Sequence, residues 1–489
     1  MREGFFCATA IESLKMKKKR ALSLSDIVLL NLVAVTSLRW VASAASNGPS
    51  SISLWILAAI FFFIPQALAI LELSSRYPGE GGLYRWTQLA LGDRHGFLCG
   101  WCYWVNNLLF FPTLLLYVAY NIAFAIHAAN PNLQLENNKI FVTGITLGAL
   151  WLVAYLSFIG LRVSRWLQNF GAIGNWIPAL SVSVLGFLSF KIYGSANVFT
   201  FETMIPQLGN LNQLTFFSQM CFALAGLELV SFFGGEIENP RRNLTLGLFF
   251  ATVIILSIYI VGTLGVLLAV PQKNITLLNG LLLPLQQMGH HFKLEGLLTI
   301  CAILIAIGGL GSTMAWFAGA ARVPYLVGLD SYLPRAFSKL HSKFQTPYIA
   351  IIVQTVFATF FTLFVTIGAQ TKMESAYKTM VDMCLILYFI PYCYLFLSLF
   401  ILRRPIDADA NANSVYRFPG GVKGRAAVGV VGLVTTLLAV LTTVVPIDGI
   451  WASVAMTKTI LGTAVMLAGG LVLYVWGKYK KTKTINAIG

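Results

Sequence analysis

The stretch Ala34-Val35-Thr36-Ser37-Leu38-Arg39-Trp40 interrupts an apolar run over residues 25–46 about halfway along its length. A helix needs about 20 apolar residues to cross a bilayer, so the run is long enough to span one. Arg39 falls about 14 residues past its start, or roughly 21 Å along a helix axis. A guanidinium at that depth costs roughly 2.5–3.5 kcal/mol on insertion scales, which an acidic partner, a cavity or a ligand must offset. A second stretch, Phe222-Ala223-Leu224-Ala225-Gly226-Leu227-Glu228, interrupts a later run over residues 213–234. Its small residues and glycine favour local unwinding, which places Glu228 near mid-membrane. Freed backbone groups at that depth are tolerated only beside protein or a water-filled cavity.

Ten further apolar runs lie at 52–73, 97–127, 139–160, 166–190, 245–270, 294–320, 347–368, 376–402, 426–446 and 451–476. Of the 489 residues, 57% are hydrophobic and 11% charged, against about 25% charged in a soluble domain. With a mean hydropathy of +0.76, this excludes a disordered chain and a soluble multidomain enzyme. The net charge of +16 does not indicate a nucleic-acid partner, because the basic residues sit in short runs between apolar stretches rather than on one face of a domain. With a cytoplasmic N-terminus, 26 of the 34 lysines and arginines fall in tails and cytoplasmic connections, six outside and two within spans. That bias predicts both termini on the cytoplasmic side, and the expected location is the plasma membrane. The expected organisation is a cytoplasmic tail at 1–24, a ten-helix core at 25–402, a cytoplasmic loop at 403–425, two peripheral helices at 426–476 and a cytoplasmic tail at 477–489.

The seven cysteines form no disulfide framework, and Cys99 and Cys102 lack the context of a redox pair. No P-loop, HExxH motif or pair of mid-span aspartates is present, so neither a self-contained pump nor an intramembrane enzyme is expected, and no cofactor or metal. The breaks fall in spans one and six, the spacing of a five-plus-five inverted repeat with a broken helix in each half.

Three blocks carry a family resemblance. Glu72 to Arg76, Pro78, Gly81, Gly82, Tyr84 and Trp86 form the first; Gly226 and Glu228 followed by Gly235 to Asn243 form the second; Ala321-Arg322 through Asp330 to Pro334, then Thr346-Pro347, form the third. Together they resemble the amino acid–polyamine–organocation superfamily. The resemblance implies an all-α membrane protein of twelve helices, LeuT-like, and a secondary carrier of a small amine-bearing solute. At the break in span one the family often has Gly-x-Gly; here Ala34-Val35-Thr36 stands there, with Ser37 next. In this the chain is more similar to the glutamate/γ-aminobutyrate antiporter and polyamine-transporter branches.

Half-helix N-termini suit a carboxylate and half-helix C-termini an ammonium, so a zwitterion fits both ends of such a site. The expected substrate-binding residues are Ala34, Val35, Thr36, Ser37 and Arg39 in span one, Asn106 in span three, Phe222, Ala223, Gly226 and Glu228 in span six, and Trp316 in span eight. Asn107, Thr113, Tyr117, Tyr388 and Tyr392 are weaker candidates. Glu228 is the candidate coupling group for a proton, or alternatively a partner for Arg39; Ser312 and Thr313 are the candidates for a less favoured sodium ion. Glu236 is expected to pair with Arg241 or Arg242, and Asp382 with Lys378. The leading expectation is an amino acid carrier working with protons or by exchange; a polyamine transporter and a nutrient-sensing receptor are the alternatives.

Overall fold

Within lipid a chain must satisfy its own peptide groups, and helices do so locally. A computed structural model describes residues 22–486 except 78–80, 131, 134, 136–137, 208, 210, 276–280, 295, 369–372, 403–415, 417 and 445–453. Among the described residues, eleven helices are long and apolar enough to cross a membrane, and a bent helix pair makes a twelfth span.

Span one is that pair, α1 (Leu24–Val35) and α2 (Leu38–Ala45). Span two is α3 (Ser50–Ala58) and α4 (Ile64–Arg76), joined by a π turn at Ala59–Phe63. Pro65 at the start of α4 has no N–H to continue the ladder, and the turn before it widens accordingly. A short helix, α5 (Gly82–Leu91), leads into span three, α6 (Asp93–Ala129). Spans four and five are α7 (Lys139–Ile159) and α8 (Leu161–Tyr193). Span six begins as α9 (Leu211–Leu224) and ends as a 3-10 helix over Leu227–Glu236. Spans seven to ten are α10 (Pro240–Ala269), α11 (Leu297–Ala320), α12 (Tyr348–Leu363) and α13 (Met373–Ile401). Spans eleven and twelve are α14 (Gly421–Val444) and α15 (Val454–Asn486).

Both breaks fall where the sequence places them. Thr36 (φ −73°, ψ 115°) and Ser37 (φ −129°, ψ 121°) are extended, and the halves of span one bend by 44°. The Thr36 hydroxyl turns back onto the Leu32 carbonyl, the kind of local bond that competes with the helical ladder. In span six the break is Ala225-Gly226, and Gly226 has φ 130°, a region that other residues rarely adopt.

Spans five and eight meet backbone to backbone. A methyl group on Gly171 would lie 2.7 Å from the Gly311 Cα, the close approach that small residues permit between membrane helices. Span five therefore reaches span one, and Asn175 touches its break. At one end of the bundle the Glu238 N–H donates to the Leu22 carbonyl at 2.9 Å, within a parallel bridge between Leu22 and Ile237. Peptide groups thus join the start of span one to the end of span six. Asp26 closes a capping box with Ser23 on α1 and lies 3.5 Å from Arg165 of span five.

The last helix runs beyond residue 476 to Asn486, through much of the stretch expected as a tail. Lys481 there lies 3.9 Å from Asp93 and 4.8 Å from the Tyr332 ring centre, contacts that give the extension something to pack on. The expected pairings of Glu236 and of Asp382 with Lys378 involve side chains outside the described residues.

Candidate functional site

A broken helix leaves carbonyls and N–H groups without ladder partners, and burial makes each of them costly. Here side chains from five other spans take them. Trp316 Nε1 donates to the Ala34 carbonyl at 2.9 Å, and Asn175 Nδ2 to the Thr36 carbonyl at 2.9 Å. Tyr259 Oη donates to the Val35 carbonyl at 2.6 Å, accepts the Ser37 N–H at 3.1 Å and lies 3.3 Å from the Ala223 carbonyl. Gln66 Nε2 donates to the Leu224 carbonyl at 2.7 Å, and Tyr392 Oη accepts the Gly226 N–H at 2.9 Å. Tyr259 is held by stacking on Trp55, with ring centres 4.4 Å apart. One phenol thus touches both breaks, which lie side by side.

A small cavity opens between them. Its walls are backbone and side chains of both breaks (Ala34, Val35, Ser37, Phe222, Ala223, Ala225) together with Trp40, Asn106, Phe110, Leu114, Ser312, Trp316 and Tyr388. The aromatic members pack edge to face: Phe110 on Phe222, Phe110 on Trp316, and Trp316 on Tyr388, each pair with centres 5.8 Å apart. Asn106 is 2% exposed, and its Oδ1 has no hydrogen-bond partner among the described residues.

Two ionisable residues flank this cavity at matching positions. Arg39 is the second residue of α2, and Glu228 the second residue of the 3-10 helix. Glu228 is 0% exposed. Tyr388 Oη donates to its Oε1 at 2.5 Å, and Tyr392 Oη donates to its Oε2. Arg39 is 4% exposed, and its Nη1 donates to Tyr377 Oη at 3.1 Å. Its guanidinium lies 4.7 Å from the Trp40 ring centre and 5.1 Å from that of Phe110. Among the described residues no ion pair joins Arg39 to Glu228.

Of the expected site residues, Ala34, Val35, Ser37, Asn106, Phe222, Ala223, Trp316 and Ser312 line the cavity. Thr36, Arg39, Gly226, Glu228 and Thr313 do not. Thr36 and Thr313 bond back to their own helices, at Leu32 and Gly309. Gly226 leaves no room for a side chain, since an added Cβ would lie 2.9 Å from Trp316 Cζ2. Glu228 stands behind Tyr388 and Tyr392, and Arg39 stands behind Trp40 and Phe110. Asn107 and Thr113 bond back to Tyr103 and Phe110. Sequence reasoning missed Gln66, Asn175 and Tyr259; a polar or phenolic group within an apolar run was their signal.

The sequence and the fold are both similar to those of known proteins. The model of the amino acid permease family matches residues 20–466. An uncharacterized transporter of Legionella pneumophila is 28% identical, covering 94% of this chain and 96% of its own. The probable agmatine/putrescine antiporter AguD of Lactococcus lactis is 26% identical over 80% of this chain and 81% of its own. The serine/threonine exchanger SteT of Bacillus subtilis is 26% identical over 77% and 81%. The crystal structure of MhsT in complex with L-phenylalanine superposes with a TM-score of 0.65 at 13% identity, over 87% of this chain and 99% of that one. The fold is therefore LeuT-like, a five-plus-five inverted repeat with broken helices one and six. The chain belongs to the amino acid permease family and is an integral membrane transporter.

Proposed function

We propose that the protein carries an amino acid or a closely related small amine by alternating access, driven by protons or by exchange. The observation that carries this reading is the cavity between two helix breaks whose freed backbone groups are held by Trp316, Asn175, Tyr259, Gln66 and Tyr392. Such a frame keeps the breaks open without a ligand and leaves the cavity walls free for one. The relatives named for serine and threonine or for agmatine and putrescine support a small amine-bearing solute. Glu228 is the proposed coupling group. It is a buried carboxylate held by one phenol that lines the cavity and another that holds the break, so a proton gained or lost there changes both contacts.

Counterflow in proteoliposomes tests the carrier. Vesicles preloaded with unlabelled serine, glutamate, arginine, agmatine or putrescine should take up the matching labelled solute saturably. Binding without any counterflow would favour the receptor alternative. Glu228→Gln should lower gradient-driven uptake by at least about tenfold while leaving the protein folded; normal uptake would remove Glu228 from coupling. The proposed orientation has both termini cytoplasmic, in the plasma membrane. A cysteine placed in 321–346 should then resist an impermeant reagent in intact cells, and one in 271–293 should react.

A further inference from the structure

Arg39 is a buried cation with idle donors. Its Nη1 is bonded to Tyr377, whereas Nε and Nη2 have no hydrogen-bond partner among the described residues. The rings of Trp40 and Phe110 stabilise its charge but accept no hydrogen bond in the plane of the guanidinium. Its place near the N-terminus of α2 adds nothing favourable, because that end of a helix carries partial positive charge. An arginine held this way is expensive at membrane depth.

Nε–H and Nη2–H form one edge of the guanidinium, the fork that matches the two oxygens of a carboxylate. Tyr117 is 4% exposed, has the Asn121 side chain beside its phenol, and lies within electrostatic range of Arg39 and Tyr377. Tyr377 accepts from Arg39 and keeps its own proton to donate. These donors come from spans one, three and ten. Arg39 adjoins the cavity through Trp40 and Phe110, which line it.

We infer that Arg39, Tyr117 and Tyr377 form an anion subsite, beside the cavity and behind Trp40 and Phe110, that takes the carboxylate of the carried solute. The inference rests on the carrier reading and deepens it: the solute is an amino acid rather than a polyamine. Its amine end then has the unpartnered Asn106 Oδ1 and the faces of Trp316 and Tyr388. The subsite also gives the chain a carboxylate contact that does not depend on a glycine-rich backbone at residues 34–36.

The test uses amino acids paired with their decarboxylated amines: L-arginine with agmatine, L-ornithine with putrescine, and L-serine with ethanolamine. Affinity is read by thermal shift and by competition in counterflow, on the full chain. The wild type should prefer the amino acid in the pair that it accepts. Arg39→Gln should reduce that preference at least about tenfold, a change of about 1.4 kcal/mol, with the affinity for the amine retained. Tyr117→Phe should reduce it in the same direction by less, and it supplies the measurement should Arg39→Gln fail to fold. An unchanged preference in folded variants that bind the probes overturns the subsite and leaves the carrier reading standing. No binding or counterflow of any probe by the wild type defeats both. Stabilisation by chloride or phosphate that Arg39→Gln abolishes, without discrimination within any pair, would assign the donors to an inorganic anion and overturn the carboxylate.

Discussion

Glu228 and Arg39 occupy the same place in the two halves of the fold, the second residue after a helix break, yet their surroundings differ. Glu228 is fully enclosed, with a phenol on each carboxylate oxygen. Arg39 is enclosed as tightly, with one hydrogen bond and two idle donor atoms. The dipoles sharpen the contrast: the start of a helical segment favours an anion and opposes a cation. One side of the cavity is complete as it stands. The other leaves two donor atoms of its cation unused.

Stability measurements can break this comparison. The largest loss is expected for Tyr392→Phe, which removes a donor from the buried Glu228 and the acceptor of the Gly226 N–H. Leaving both unsatisfied costs about 3 kcal/mol, read as a lower melting temperature of the purified protein; an unshifted midpoint would mean that the phenols do not hold the carboxylate. Gly226→Ala should cost about 2 kcal/mol, because it combines an unfavourable φ with crowding against Trp316. Trp316→Phe keeps the ring and deletes the bond to Ala34, a loss of about 1 kcal/mol on the same scale. Arg39→Gln should move stability least, by under about 1 kcal/mol in either direction, where breaking a buried ion pair would cost roughly 3–5 kcal/mol. A double-mutant cycle of Arg39→Gln with Glu228→Gln should show coupling below about 0.5 kcal/mol. Strong coupling would pair the two charges after all.

The breaks were legible because their cause is local. Thr36 can bond its own helix, and Gly226 can adopt a positive φ, so both leave a mark in the residues themselves. The spans were legible because bilayer thickness sets their length. The frame around the breaks was not. Tyr259 meets Val35 across 224 residues, Gln66 meets Leu224 across 158, and Asn175 meets Thr36 across 139. Nothing near those side chains in the sequence says which carbonyl each will hold. The position of Glu228 shows the same limit: its depth followed from the run of residues, whereas its seclusion depends on two tyrosines from span ten.

The tie between Leu22 and Glu238 is made of peptide groups alone, so its strength is indifferent to the side chains around it. Neighbouring positions are free to vary in charge, size or affinity for lipid headgroups while the joint persists. Proline at position 238 is the exception, since it removes the donating N–H. The start of span one and the end of span six therefore share a fastening that evolutionary drift can surround with new chemistry without undoing it.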